Sequence, residues 1–175
     1  MSEAAEVPQL AARIADKDFG LLRARLLPQA PDISLHPTRS DYDFNPEFGR
    51  PAGAVKLTPA AVLVPIIAKP EPTVLFTQRT AHLTRHAGQV SFPGGRVDDA
   101  DESPLATALR ETHEETGIAR DYVTVAGFME SYETGTGFAI LPVVGVLRPG
   151  FALMPNPAEV NDIFEVPLAF LLDRK

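Results

Sequence analysis

The sequence predicts an α/β fold, a mixed β-sheet with helices covering its faces. Three observations predict it. Short apolar, β-branched runs recur at residues 60–67, 73–79, 122–131 and 138–147. One well-bounded helical segment, 104–116, divides them, and a second short one, 167–173, follows them. The order strands, helix, strands, helix places helices against a mixed sheet.

The elements follow in order. Residues 8–26 carry Leu10, Ala11, Ile14, Leu21 and Leu22 at roughly helical spacing, so a helix is expected there. Residues 27–59 hold Pro28, Pro31, Pro37, Pro46, Pro51 and Pro59 and few apolar runs, which reads as an extended, irregular arm. Residues 1–58 are therefore expected to be a helix and a proline-rich arm packing on a domain formed by 59–175. The runs 60–67 and 73–79 flank Lys69-Pro70-Glu71-Pro72, a turn between two strands. A further short strand at 89–92 runs into Pro93-Gly94-Gly95. An acidic loop leads to the helix: Ser103 suits its N-cap, Pro104 its first position and Gly117 the residue just past its end. Gly135-Thr136-Gly137 lies in the loop between the last two strands.

Bulk properties exclude several functions. The formal net charge is -7, so no nucleic-acid backbone is attracted to the surface as a whole. A phosphorylated substrate requires local cations, whether a few Arg and Lys side chains or metal ions. The chain has no cysteine, which excludes disulfides, thiolate nucleophiles and zinc–thiolate sites. No run approaches ~20 apolar residues, so no membrane helix is expected. The acidic start lacks a signal peptide's basic and apolar regions, and a cytoplasmic location is expected.

The informative segment is Arg110-Glu111-Thr112-His113-Glu114-Glu115-Thr116-Gly117. On a helix, Leu105, Ala108, Leu109, Thr112 and Thr116 form one buried face. Glu111, Glu114 and Glu115, at i, i+3 and i+4, are expected to share another. Like charges so spaced repel by roughly 0.2–0.5 kcal/mol per pair. They also stand near the helix C-terminus, where the macrodipole favours cations. Seven acidic residues and one basic residue, Arg110, lie between Asp98 and Glu115. Solvated helix faces usually interleave Lys with Glu, and this one does not. Clustered carboxylates select hard divalent cations such as Mg²⁺ or Mn²⁺. Arg110 is expected to orient a glutamate, and His113 to be a surface residue.

With the residues before it, this helix resembles the Nudix box, G-x5-E-x7-R-E-U-x-E-E-x-G-U, where U is a bulky aliphatic residue. Glu102, Arg110-Glu111, Glu114-Glu115, Gly117 and Ile118 match. Six residues rather than five separate Gly95 from Glu102, and Thr112 replaces an aliphatic residue. The resemblance implies a Nudix-type α/β/α sandwich with a mixed central sheet. It implies that Glu111, Glu114 and Glu115 hold Mg²⁺ or Mn²⁺, and that Glu102 joins the acidic site or supports its loop. Residues 75–95, LFTQRTAHLTRHAGQVSFPGG, also resemble the coenzyme A pyrophosphatase signature, with Leu75, Thr77, Arg79, Gly88 and Phe92-Pro93-Gly94-Gly95 in place. Thr84 stands where that signature has an arginine, with Arg85 beside it.

The upstream segment also reads as a ligand surface. Arg79 and Arg85 are expected to meet phosphate oxygens, including the 3′-phosphate of coenzyme A. Gly94 and Gly95 let the backbone bend close to ligand or helix. A fourth carboxylate is sought among Glu130, Glu133 and Glu159, of which Glu159 has the best motif context. Tyr132 and Phe138 are expected to pack rather than to stack on a base. The expected activity is metal-dependent hydrolysis of the pyrophosphate of coenzyme A or a derivative, a small-molecule substrate. The alternatives are another nucleoside diphosphate derivative (ADP-ribose, a dinucleotide or a nucleoside triphosphate) or a non-catalytic nucleotide-sensing domain. Whether the arm covers the sheet, mediates a homodimer or shapes the pocket stays open.

Overall fold

The computed structural model describes residues 17–33, 37–49, 56–81 and 88–173. Two ten-residue strands form its centre: β2 (Thr58–Ile67) and β8 (Phe138–Leu147). Both are rich in Val, Ile and Leu, which suit strands buried on both faces. They pair in parallel along their whole length, from Thr58↔Phe138 to Ile67↔Leu147. The other strands are β1 (Arg39–Ser40), β3 (Thr73–Arg79), β4 (Val90–Ser91), β5 (Gly94–Arg96), β6 (Val123–Phe128), β7 (Tyr132–Glu133) and β9 (Val160–Pro167). Strand β2 pairs antiparallel with β5 near its start and with β3 at its end. Strands β6 and β7 run antiparallel to β8, β4 and β9 antiparallel to β3, and β1 parallel to β7. The expected mixed sheet is therefore present.

The period of two along β2 divides the core. Ala61 and Leu63 face helix α3 (Pro104–Thr116), where they meet Ala108 and Leu109. Val64 and Ile66 face the other way, toward Phe19 of helix α1 (Lys17–Arg23) and Leu168 of helix α4 (Leu168–Leu172). Helices on both sides of one sheet make the expected sandwich. Burying each such Leu or Ile contributes about 1.5–3 kcal/mol.

Helix α3 has the bounds expected from its caps. The Ser103 hydroxyl accepts the Ala106 amide at 3.2 Å, and Gly117, at φ 77°, donates to the His113 carbonyl at 2.8 Å. On its inner face the Thr112 and Thr116 hydroxyls donate to the Ala108 and Thr112 carbonyls, each at 2.6 Å. These hydroxyls are thereby satisfied inside the core, which explains how Thr112 stands where an aliphatic residue was expected.

Several elements differ from the sequence reading. Residues 160–167, where the sequence pattern marks no strand, form β9, paired with β3 along nearly its whole length. The run 122–131 breaks after Phe128, and its pairing with β8 shifts register between Val125 and Gly127. Of the helix expected at 8–26, residues 17–23 are helical, and residues 1–16 lie outside the described residues. The arm is more ordered than expected. It contains β1, the one-turn helix α2 (Asp41–Phe44) and a 3-10 turn at Pro46–Phe48. Asp43 accepts the Ser40 amide at 2.7 Å, a capping box that starts α2. Asp41 accepts the Tyr132 hydroxyl at 2.8 Å and the Gly135 amide at 2.7 Å, which ties the arm to the glycine loop. Among the described residues no helix is long and apolar enough to cross a membrane.

Candidate active site

The site is built where helix α3 crosses strand β5. Gly94 has φ 154°, and a Cβ there would lie 2.4 Å from the Ala61 carbonyl oxygen. Only glycine lets β5 lie so close to β2. A Cβ on Gly95 would lie 2.5 Å from the Glu111 carboxyl carbon. The two glycines thus have separate tasks: Gly94 seats the strand, and Gly95 leaves room for a carboxylate.

Glu115 meets the same strand at the Gly94 amide. It is 3% exposed, accepts the Gly94 amide at 3.2 Å, and has Arg79 Nη1 at 3.8 Å. Burial pushes its pKa up to about 7; Glu159 and Glu111 add to the rise, while the Gly94 amide and Arg79 oppose it. Burial also raises the Glu111 carboxyl, helped by Glu114 and Glu159 and opposed by Arg110. Glu111, Glu115 and Glu159 therefore share one field. Glu159 reaches it from the loop before β9, where Asn156 Nδ2 donates to its carboxylate at 3.4 Å.

Of the three glutamates expected on one face, Glu111 and Glu115 meet strand β5 at Gly95 and Gly94. Glu115 is buried there and accepts the Gly94 amide. The Glu114 side chain stays 53% exposed. Arg110 Nη1 donates to Glu111 at 2.9 Å and to Glu114 at 3.1 Å, so it orients two glutamates.

Glu102 is expected to join the acidic site or to support its loop; the neighbouring Asp101, which nothing in the sequence alone singles out, is the carboxylate bound to Arg110 in that loop. Glu102 is exposed. Asp101 accepts Arg110 Nε and Nη2, both at 2.9 Å, and the Thr107 hydroxyl at 2.8 Å. Bonds from Arg110 hold the Asp101 carboxyl well below the usual carboxylate range. A depressed folded-state pKa stabilises fully above the unfolded value near pH 3.9 and is lost as pH falls below it. Asp101→Asn is expected to cost about 1.5–3 kcal/mol of stability at pH 7, the range for a charge-assisted bond. In denaturant melts the gap from wild type should narrow below about pH 4. A constant gap down to pH 2 would contradict the assignment.

The remaining candidate residues lie elsewhere. Glu130 is exposed and accepts the Thr38 hydroxyl at 3.2 Å. Glu133 is buried on β7. The Tyr132 hydroxyl is committed to Asp41, and burial first, then Asp41, pushes its pKa to about 12. Arg85 lies outside the described residues. Arg79 has a buried Nε without a hydrogen-bond partner, an orphan donor beside the acidic cluster.

The donor set fits a hard divalent cation. Carboxylates that raise one another's pKa values, one of them buried, gain from a cation among them. Among the described residues, however, no three acidic or histidine side chains already converge as a metal cage. Glu111 and Glu114 would have to exchange Arg110 for the ion.

Behind the Phe92–Gly95 turn, on the α1 and α4 side of the sheet, lies a cavity of about 890 Å³. Leu26, Val64, Ile66, Phe92, Pro142 and Leu171 form its apolar walls.

Comparison with known proteins matches the same architecture. The NUDIX domain family matches residues 57–169. The chain belongs to the Nudix family. It is 54% identical over 110 residues to the uncharacterized Nudix hydrolase NudL of Photorhabdus laumondii, covering 63% of this chain and 59% of that protein. The NudL of Escherichia coli K12 is 48% identical over 110 residues, 63% of this chain and 57% of its own length. The chain thus spans a little under three fifths of the curated relatives it matches. The Ap4A hydrolase of C. elegans, solved as a binary complex, superposes with TM-score 0.54 at 22% identity, over 63% of this chain and 80% of that one. The NUDIX domain of Shewanella oneidensis NrtR, complexed with ADP-ribose, gives 0.50 at 23%, over 75% and 86%. At these identities the structural likeness concerns the fold.

Proposed function

We propose that the chain hydrolyses the diphosphate of coenzyme A or a derivative, giving adenosine 3′,5′-bisphosphate and 4′-phosphopantetheine. The observation that carries the reading is the meeting of the two sequence signatures. The F-P-G-G turn of residues 92–95 binds Glu115 through the Gly94 amide and makes room for Glu111 at Gly95. The segment resembling coenzyme A pyrophosphatases and the acidic helix thus build one site.

In this reading Glu111, Glu114 and Glu115 hold Mg²⁺ or Mn²⁺. Bound there, the cation supplies Lewis acidity, neutralising diphosphate charge and acidifying water. Arg79 turns its orphan Nε–H to a diphosphate oxygen. Glu159 accepts the proton as the water oxygen bonds to one phosphorus. The P–O bond of the anhydride breaks, and its oxygen leaves with the other phosphate. Glu159 then releases the proton to solvent.

The test is a panel of coenzyme A, ADP-ribose and Ap4A with Mg²⁺ or Mn²⁺ and product identification. The kcat/KM for coenzyme A is expected to exceed the others by about tenfold or more, worth roughly 1.4 kcal/mol. ADP-ribose, which the NrtR domain binds, is the leading rival, and its winning would overturn the coenzyme A reading. Binding without cleavage of any of the three would leave a nucleotide sensor.

A further inference from the structure

The chain before β2, helix and arm together, carries two arginines that neither signature includes. Arg39, on β1, and Arg25, just after α1, both line the 890 Å³ cavity. In-register neighbours on adjacent strands point to one face. Arg39 pairs with Tyr132, and Tyr132 with Ile140, so the three form a row along the cavity floor. Among the described residues neither guanidinium makes an ion pair. Glu130 lines the same cavity. Two arginines without an ion-pair partner among the described residues thus line one mostly aliphatic cavity, in a chain of net charge -7.

Their position separates them from the reacting diphosphate. In the sheet order β1-β7-β8-β2, three strand spacings lie between Arg39 and β2. At about 4.8 Å each that is roughly 14 Å, and the acidic cluster lies beyond β2, where helix α3 crosses β5. Arg79 already stands at that cluster, beside Glu115. An anion held by Arg25 and Arg39 is therefore a second anionic group, at a distance from the bond that breaks.

We infer that Arg25 and Arg39 form a recognition site for a phosphomonoester carried by the substrate in addition to its diphosphate. This rests on the function proposed above, where the group is the 3′-phosphate of coenzyme A. It transfers the reading of that phosphate from the segment 79–85 to the chain before β2. Both side chains are exposed, and a guanidinium fork matches two phosphate oxygens.

The experiment has two arms. The first measures kcat/KM for coenzyme A and dephospho-coenzyme A in wild type, Arg25→Ala, Arg39→Ala, the double variant and Arg39→Lys. Wild type is expected to favour coenzyme A by about ten- to a hundredfold. The double variant should bring the ratio near one through loss of the coenzyme A rate alone, and Arg39→Lys should keep part of it. The second arm titrates the full-length protein with adenosine 3′,5′-bisphosphate and with adenosine 5′-monophosphate. The bisphosphate should bind more tightly, and the double variant should erase the difference. An unchanged ratio in the double variant, an equal loss for both substrates, or equal binding of the two nucleotides in wild type would overturn the inference. Preferential binding that depends on both arginines, without cleavage of coenzyme A, would sustain the arginine site and remove the proposed reaction.

Discussion

Glu115→Gln is expected to make the metal-free protein more stable and the enzyme nearly inactive. The opposed signs come from one fact: a carboxylate 3% exposed, with a pKa pushed up to about 7 mainly by burial. An acid whose folded-state pKa lies above its unfolded value costs stability wherever it is ionised. The cost is full above the folded value and disappears below the unfolded one, near 4.5. Gln keeps the shape and an acceptor for the Gly94 amide but carries no charge. Without metal at pH 8 the variant should gain on the order of 2–3 kcal/mol, and the gain should vanish by about pH 4. Adding Mg²⁺ should stabilise wild type and leave the variant unmoved, since a ligand stabilises only the state that binds it. Turnover of coenzyme A should fall about a hundredfold or more, as on loss of a major electrostatic contributor. Near-normal turnover, or a metal-free variant less stable than wild type at pH 8, would refute the role given to Glu115.

The two neighbouring glycines should fail in different ways. A Cβ on Gly94 meets main chain, the Ala61 carbonyl at 2.4 Å and the Val62 Cα at 2.6 Å, and the φ of 154° is itself strained for other residues. Main chain in the middle of a sheet has nowhere to go. Gly94→Ala is expected to lose about 3 kcal/mol or more, with a lower denaturation midpoint and little soluble protein. A Cβ on Gly95 meets the movable end of Glu111 instead. Gly95→Ala should fold within about 1.5 kcal/mol of wild type but displace that carboxylate. Its kcat should fall at least tenfold, with an increased Mg²⁺ requirement. Equal stability losses in the two variants would show that the carboxylate does not occupy the space beside Gly95.

How far each feature was legible follows from the range of the interaction behind it. Helix α3 was legible to the residue, because Ser103, Pro104 and Gly117 act within one turn. The burial of Glu115 was not, because it depends on a strand twenty residues earlier whose Gly94 amide it meets. Asp101 was one of seven acidic residues in its stretch, and only the folded turn from Asp98 to Asp101 decides which of them Arg110 grips. Strand β9 escaped notice because Asn161, Asp162 and Glu165 dilute its apolar pattern, and its ladder to β3 is a long-range contact. The elements of the arm are two to four residues long, too short for any period to show. Arg79 was legible as a cation near phosphate, but only the fold sets it beside Glu115.

The parallel pairing of β2 with β8 bears on how the chain is made. Every one of its ten register pairs joins residues about 80 positions apart. Strand β2 leaves the ribosome long before β8, and nearly everything else in the sheet lies between them. At synthesis rates of about 5–20 residues per second, that leaves an interval of several seconds or more. Through it, an apolar strand offers an unpaired edge to any neighbour. Contacts so distant also carry a large loop-closure entropy, which slows the final assembly. The chain is therefore expected to refold slowly, to aggregate when refolded at high concentration, and to depend on chaperones when overproduced.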